Sequence, residues 1–141
     1  MAAINYRSQD FVEEVKRITD GHGVSVVLDM VGGDYLPRNL ACLSDDGRHV
    51  SIAFQRGAKS EVLIPDIMRR RLTLTGSTLR PRSVQFKTLV ADEIVQTVWP
   101  FVEGGRLKPV VDVVFPLDRA AEAHARMEAG EHIGKIVLEV Q

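Results

Sequence analysis

An α/β protein is predicted by the sequence: a doubly wound parallel sheet, then a C-terminal helix-strand-helix-strand segment. Three observations lead there. Val24 to Val31 is a β-branched run with little alternation, the signature of a strand covered on both faces. Between Phe11 and Gly76, segments with helical spacing alternate with strand-like runs, in the strand, helix, strand, helix, strand order of a parallel sheet. Beyond Gly76 the pattern changes to that of a long helix followed by shorter elements.

Ala2 to Tyr6 reads as a strand with no turn or cap before it, so the chain is expected to begin inside a domain. Ser8 is a candidate N-cap for a helix over Phe11 to Thr19, where Phe11, Val15 and Ile18 share a face and Glu13 pairs with Arg17 at i, i+4. Asp20-Gly21-His22-Gly23 ends that helix and feeds the Val24 strand. Gly32-Gly33 turns the chain into a helix over Asp34 to Leu43, which tolerates Pro37 early and lines up Leu36, Leu40 and Leu43. Ser44 to Gly47 is a turn, His49 to Phe54 a second strand and Gln55 to Ser60 a loop. A short helix near Pro65 to Arg70 precedes Leu72-Thr73-Leu74-Thr75, whose period of two predicts a strand with one wetter face. The long helix starts near Ser83 with Phe86, Val90, Ile94 and Val98 at helical spacing, and Pro100 kinks or ends it. Val110 to Phe115 is a strand, Asp118 caps the helix Arg119 to Ala129, and Ile136 to Val140 is the last strand.

Lys and Arg number 18 against 19 Asp and Glu, with no long run of one sign, which argues against nucleic acid as a partner. The lone cysteine, Cys42, excludes an internal disulfide framework, suits a reducing cytosol and reads as packing. No apolar stretch nears the ~18 residues of a membrane helix and no export pattern is present, so a soluble, cytoplasmic protein is expected.

The Gly-x-Gly-x-x-Gly loop that lets backbone approach a pyrophosphate is absent, because Gly21, Gly23, Gly32 and Gly33 have the wrong spacing. His22, His49, His124 and His132 have no Cys or carboxylate partner at a metal-ligand spacing. His22 reads as a turn residue, His49 as flanking its strand and His124 as a hydrogen-bonded core histidine. A Gly-x-Ser-x-Gly elbow is also missing and Ser51 sits inside a strand, which argues against a hydrolase. Arg69-Arg70-Arg71, at a helix end, reads as complementing the helix dipole and staying solvated rather than as a phosphate site. Val31-Gly32-Gly33 and Ala53-Phe54 fall at the carboxyl ends of neighbouring strands, where ligands of doubly wound sheets lie. A plain tight turn and core filler are the rival readings of those two positions.

The run from Ile64 to Arg82, IPDIMRRRLTLTGSTLRPR, closely resembles zinc-free quinone oxidoreductases of the medium-chain dehydrogenase/reductase family, bacterial NADPH:quinone reductases among them. Ala3 to Arg7, Asp29-Met30-Val31-Gly32-Gly33, and the stretch from Ala123-His124 through Met127-Glu128 to Leu138 extend the resemblance over almost the whole chain. It implies a partial Rossmann-like sheet that lacks its first βαβ unit. Residues 1–76 would be a partial nucleotide-binding domain, and 77–141 would fold back toward a substrate domain. The strand order 3-2-1-4-5-6 of such sheets would leave Ile4 to Tyr6 without its neighbour.

The same resemblance implies hydride transfer from NADPH to a quinone or similar electron-poor enone, without a metal. Tyr6 would lie near the adenosine phosphate-ribose, and Val31, Gly32, Ala53 and Phe54 would line the cofactor cleft. Thr78, Leu79 and His132 match positions nearer the nicotinamide, although an amide is common where His132 stands. Gln55-Arg56-Gly57 departs from the small, glycine-rich loop often found there, and no catalytic residue is carried over. A homodimer through Leu72 to Gly76 is implied as well. This chain alone is not expected to turn over substrate efficiently. Two other readings stay open: a non-catalytic association module, and part of a zinc-free enoyl or alkenal reductase.

Overall fold

The computed structural model describes residues 2–140. Residues 2–82 and 83–140 form two compact units. In the first, Asp10 starts helix α1 (Phe11–Ile18), its carboxylate accepting the amides of Val12 at 2.8 Å and Glu13 at 3.3 Å. Asp10, not Ser8, is therefore the cap; Ser8 belongs to a turn held by Asn5 O, which accepts the Ser8 and Gln9 amides at 3.0 and 2.9 Å. That turn takes Tyr6 with it, so the strand expected over residues 4–6 does not form. On α1, Lys16 pairs with Glu13 and Arg17 with Glu14, in place of the expected Glu13 to Arg17 pair.

Strands β1 (Val24–Asp29), β2 (Leu43–Ser51) and β3 (Thr73–Gly76) form a three-stranded sheet in that order, all parallel. Helices α2 (Tyr35–Cys42) and α3 (Ile64–Arg70) connect them. The expected turn at Ser44 to Gly47 survives as an irregularity inside β2, because Val24 faces Leu43 while Val26 already faces Arg48. Asp46 there has φ +59 and is gripped at 2.7 and 2.6 Å by Arg71, itself left-handed at φ +51. Two residues in a conformation that L side chains rarely adopt thus hold each other.

Leu40, Leu43 and Leu72 make the buried core, with Val24, Val27, Leu36, Val62 and Ile67 packed against them. The stripe read on α2 is the stripe that packs. β1 is not covered on both faces, however: it is an edge strand, and Val26 and Leu28 stay 58% and 67% exposed. The apolar residues that α2 and α3 bring to this core are Leu36, Leu40 and Ile67. β3 is exposed at every position rather than alternating. The arginine run is also not simply solvated, since Arg70 donates to Leu40 O at 3.0 Å and to Leu43 O, tying down the last carbonyls of α2.

In the second unit, Ser83 caps helix α4 (Val84–Thr97), its hydroxyl accepting the Phe86 amide at 3.2 Å. Pro100 ends α4 and opens helix α5 (Trp99–Glu103), where a residue without an N–H is tolerated in the first turn. Strands β4 (Val111–Pro116) and β5 (Lys135–Glu139) pair in parallel and flank helix α6 (Ala120–Ala129). Asp118 lies in a 3-10 turn, Leu117–Arg119, and makes no cap bond, because α6 begins later than the sequence suggests. Ala123 is buried, but His124 beside it is exposed and is not a core histidine.

Candidate functional site

The site begins where the parallel strands end. Asp29 is the last residue of β1, and its Oδ1 accepts the amides of Val31 at 2.8 Å and Gly32 at 3.2 Å. The segments leaving β1 and β2 remain zipped: Asp29 O accepts the Ile52 amide and Val31 O the Arg56 amide, each at 2.8 Å. This lays the loop 54–57 directly on the glycine pair. Gly32 (φ +68) has room for no side chain, since a Cβ there would stand 2.9 Å from both Gly57 O and Phe54 Cα. Gly33 (φ +55) is as tight against Arg56 O.

Beneath this turn lies a polar cluster that reading the sequence missed. His49, which by sequence flanks its strand, is 1% exposed. Its Nε2 lies 3.3 Å from Asp29 Oδ2 and 3.5 Å from Asn39 Nδ2, and Asp29 and Asn39 are themselves buried. The available signal was weak: Asp29 is the one charged residue in the run Val24 to Val31, and His49 stands at the start of the run His49 to Phe54. Only the parallel register, with Val27 opposite His49 and Asp29 opposite Ser51, brings them together.

A cleft of about 580 Å³ opens at the carboxyl ends of β1, β2 and β3. It brings together four residues singled out in the sequence: Gly32, Ala53, Phe54 and Thr78. Its floor is small or backbone-like, with Ser51, Gly76 and Ser77, and Lys59 and Arg82 stand on its wall. Tyr6 and Val31 line a neighbouring cleft of about 540 Å³ with Phe11, Tyr35 and Arg56. There the rings of Phe11 and Tyr35 stack at 5.5 Å, and the Arg38 guanidinium sits 4.3 Å over Phe11. Leu79 lines neither cleft and is 54% exposed.

His132 lies in the second unit, where its Nδ1 is buried without a hydrogen-bond partner among the described residues. Near it, the Arg126 guanidinium, donating at 2.7 Å, holds the Asp112 carboxyl below the usual carboxylate range, and the Ile133 amide adds to this. The unusual Arg56 is directed away from the first cleft. It pairs with Asp34 at 3.0 and 3.1 Å and covers the Tyr35 ring.

Cys42 is buried, and burial pushes its thiol up, which suits packing rather than nucleophilic attack. Among the described residues no group of three or more His, Cys, Asp or Glu is arranged to hold a metal ion. No helix among them is long and apolar enough to cross a membrane.

A concave edge at the carboxyl ends of parallel strands, floored by glycine and small hydroxyl residues, belongs to a partial Rossmann-like α/β unit, and it is the place where open parallel sheets take their ligands. The chain belongs to the family described as "Zinc-binding dehydrogenase", which it matches over residues 2–138. It is 35% identical over 137 residues to a 2-haloacrylate reductase of Burkholderia sp, covering 96% of this chain and 40% of that protein. It is 26% identical over 137 residues to a quinone oxidoreductase-like protein 2 homolog of Nematostella vectensis, covering 97% of this chain and 38% of that one. The crystal structure of an NAD-dependent alcohol dehydrogenase superposes with a TM-score of 0.73 at 32% identity, over 98% of this chain and 37% of the other. The chain therefore spans about two fifths of the length of these relatives. The zinc in the family's description finds no matching donor set among the described residues.

Proposed function

We propose that this chain is part of an NADPH-dependent reductase that passes hydride to a quinone or a similar electron-poor enone without a metal. The observation that carries the reading is the cleft shared by Gly32, Ala53, Phe54 and Thr78 at the ends of three parallel strands. Bound NADPH supplies the hydride. The small residues Ser51, Ala53 and Gly76 let a flat ring approach the backbone, and Phe54, 67% exposed, offers it an apolar face. Ser77 and Thr78 present hydroxyls that can orient polar groups on the ring. Tyr6, in the neighbouring cleft, takes the adenosine side, Val31 beside it lines the cofactor's path, and Leu79 is assigned to the nicotinamide side. The names of two relatives support the acceptor class, because 2-haloacrylates and quinones both carry a C=C bond conjugated to a carbonyl.

The assembly proposed with this function is a homodimer through β3. Thr73 to Gly76 is an outer strand, exposed throughout and free of proline and charge, which leaves a row of backbone groups open to pairing.

Calorimetric titration with NADPH, with NADH as comparison, tests the cofactor reading. Saturable binding of NADPH is expected, and it should be weak, because no Gly-x-Gly-x-x-Gly loop is present to hold the pyrophosphate. With 1,4-benzoquinone added, oxidation of NADPH followed by absorbance should stay well below ordinary enzymatic rates. The absence of any binding heat would remove the reading.

A further inference from the structure

We propose that His49 is a positioning residue for the cleft: by donating from Nε2 to Asp29, it holds the carboxylate that captures the Val31 and Gly32 amides and so sets the glycine turn. This role lies outside the proposed reaction and does not depend on which ligand the cleft takes.

The geometry leaves His49 two alternatives. With the proton on Nε2, the ring donates across 3.3 Å to Asp29 Oδ2. With the proton on Nδ1 alone, Nε2 becomes an acceptor, and the Asn39 amide nitrogen at 3.5 Å is the group placed to donate to it. The second arrangement would leave Oδ2 of this buried carboxylate only the 3.3 Å contact from the Gly32 amide, which that amide shares with Oδ1, while the first adds a side-chain donor of its own. Burying a carboxylate is unfavourable unless it is hydrogen-bonded, so the first arrangement is favoured. The longer contact to Asn39 is also the weaker of the two.

The turn is what gains. Gly32 and Gly33 both hold positive φ, and a glycine pair left to itself samples many other conformations. The Asp29 carboxylate pins the second and third amides after β1, those of Val31 and Gly32, and, being engaged by them and by the imidazole, presents less of its charge to an anionic ligand in the cleft it helps to line. Register supplies the reach. His49 faces Val27 on β1, two residues before Asp29, so its side chain projects on the same face of the sheet as the carboxylate.

Nitrogen-15 spectroscopy of the ring in the unmodified chain reads the tautomer directly. A proton on Nε2 is expected, and a neutral ring protonated only at Nδ1 would overturn the proposal. In His49→Leu, the Val31 and Gly32 amide resonances should move and their hydrogen exchange should speed up by about tenfold, with the β3 amides unchanged. His49→Gln, which retains an N–H donor, should recover most of that protection. Unchanged Val31 and Gly32 amides in a folded His49→Leu chain would also overturn it. If that variant does not fold, the tautomer and His49→Gln decide. NADPH serves as a separate probe: failure of the unmodified chain to bind it counts against the cofactor reading, while the amide and ring signals still judge His49.

Discussion

Replacing Gly32 by alanine separates two costs that the structure assigns to different atoms. The first is conformational: φ is +68, and an L residue in that region loses about 1–2 kcal/mol, partly offset by about 0.4–1 kcal/mol from the stiffer unfolded chain. The second is steric. The new Cβ would meet Gly57 O and Phe54 Cα at 2.9 Å, and both are backbone atoms that cannot rotate away. Forcing the loop 54–57 outward resembles overpacking, worth about 1–3 kcal/mol. Gly21 is the internal control, since it has φ +82 and nothing within 4 Å of an added methyl, so Gly21→Ala meets only the first cost. Thermal unfolding followed by circular dichroism reads the difference. At about 4–8 °C per kcal/mol for a unit of this size, Gly32→Ala should melt about 10–20 °C lower and Gly21→Ala only a few degrees lower. Equal shifts for the two variants would refute the claim that the loop rests on the glycine pair.

Asp10 predicts an acid dependence. The Glu13 and Val12 amides, with Arg38 adding, hold its carboxyl below the ordinary value of 3.8. A lowered folded value means stabilisation that is present above about pH 4 and lost as pH falls through the folded pKa. Asp10→Asn keeps a capping oxygen without the charge, so its melting temperature should fall less steeply between about pH 4 and pH 2 than that of the unmodified chain; parallel curves would contradict this. Arg70→Met removes the donor to Leu40 O and Leu43 O and should lower stability in urea by about 2 kcal/mol, whereas a loss under ~0.5 kcal/mol would show those carbonyls find other partners. For the proposed dimer, the Ser77 amide donates to Ser51 O at 3.0 Å, so by the two-residue period the Thr73 and Thr75 amides also point toward β2 and the Leu74 amide points to the free edge. Leu74→Pro should therefore convert a dimer to a monomer in light scattering while leaving the β2–β3 pairing intact. A dimer that persists would exclude β3 as the interface and turn attention to the exposed edge of β1.

What the sequence determined by itself is what depends on residues within a few positions of one another. Helical spacing located α1, α2 and α4, and the β-branched run located β1. The Gly32-Gly33 turn and the core stripe of Leu36, Leu40 and Leu43 were equally legible, and Ala53 and Phe54 do fall near the carboxyl end of a strand, although β2 stops at Ser51 rather than at Phe54. Chain geometry over one or two turns sets all of these. Capping is local too, but Asp10 and Ser8 are both competent caps, and only the turn over Asn5 to Ser8 assigns the role to Asp10. What tertiary structure decided depends on register and on which faces find a partner. The union of Asp29 with His49 needs two strands aligned in parallel, and the reach of Arg70 to the end of α2 needs α3 packed beside it. Likewise, Val26 and Leu28 have the composition of buried residues and are exposed, because burial belongs to the layers around a strand, and the residues of the strand cannot supply those layers themselves.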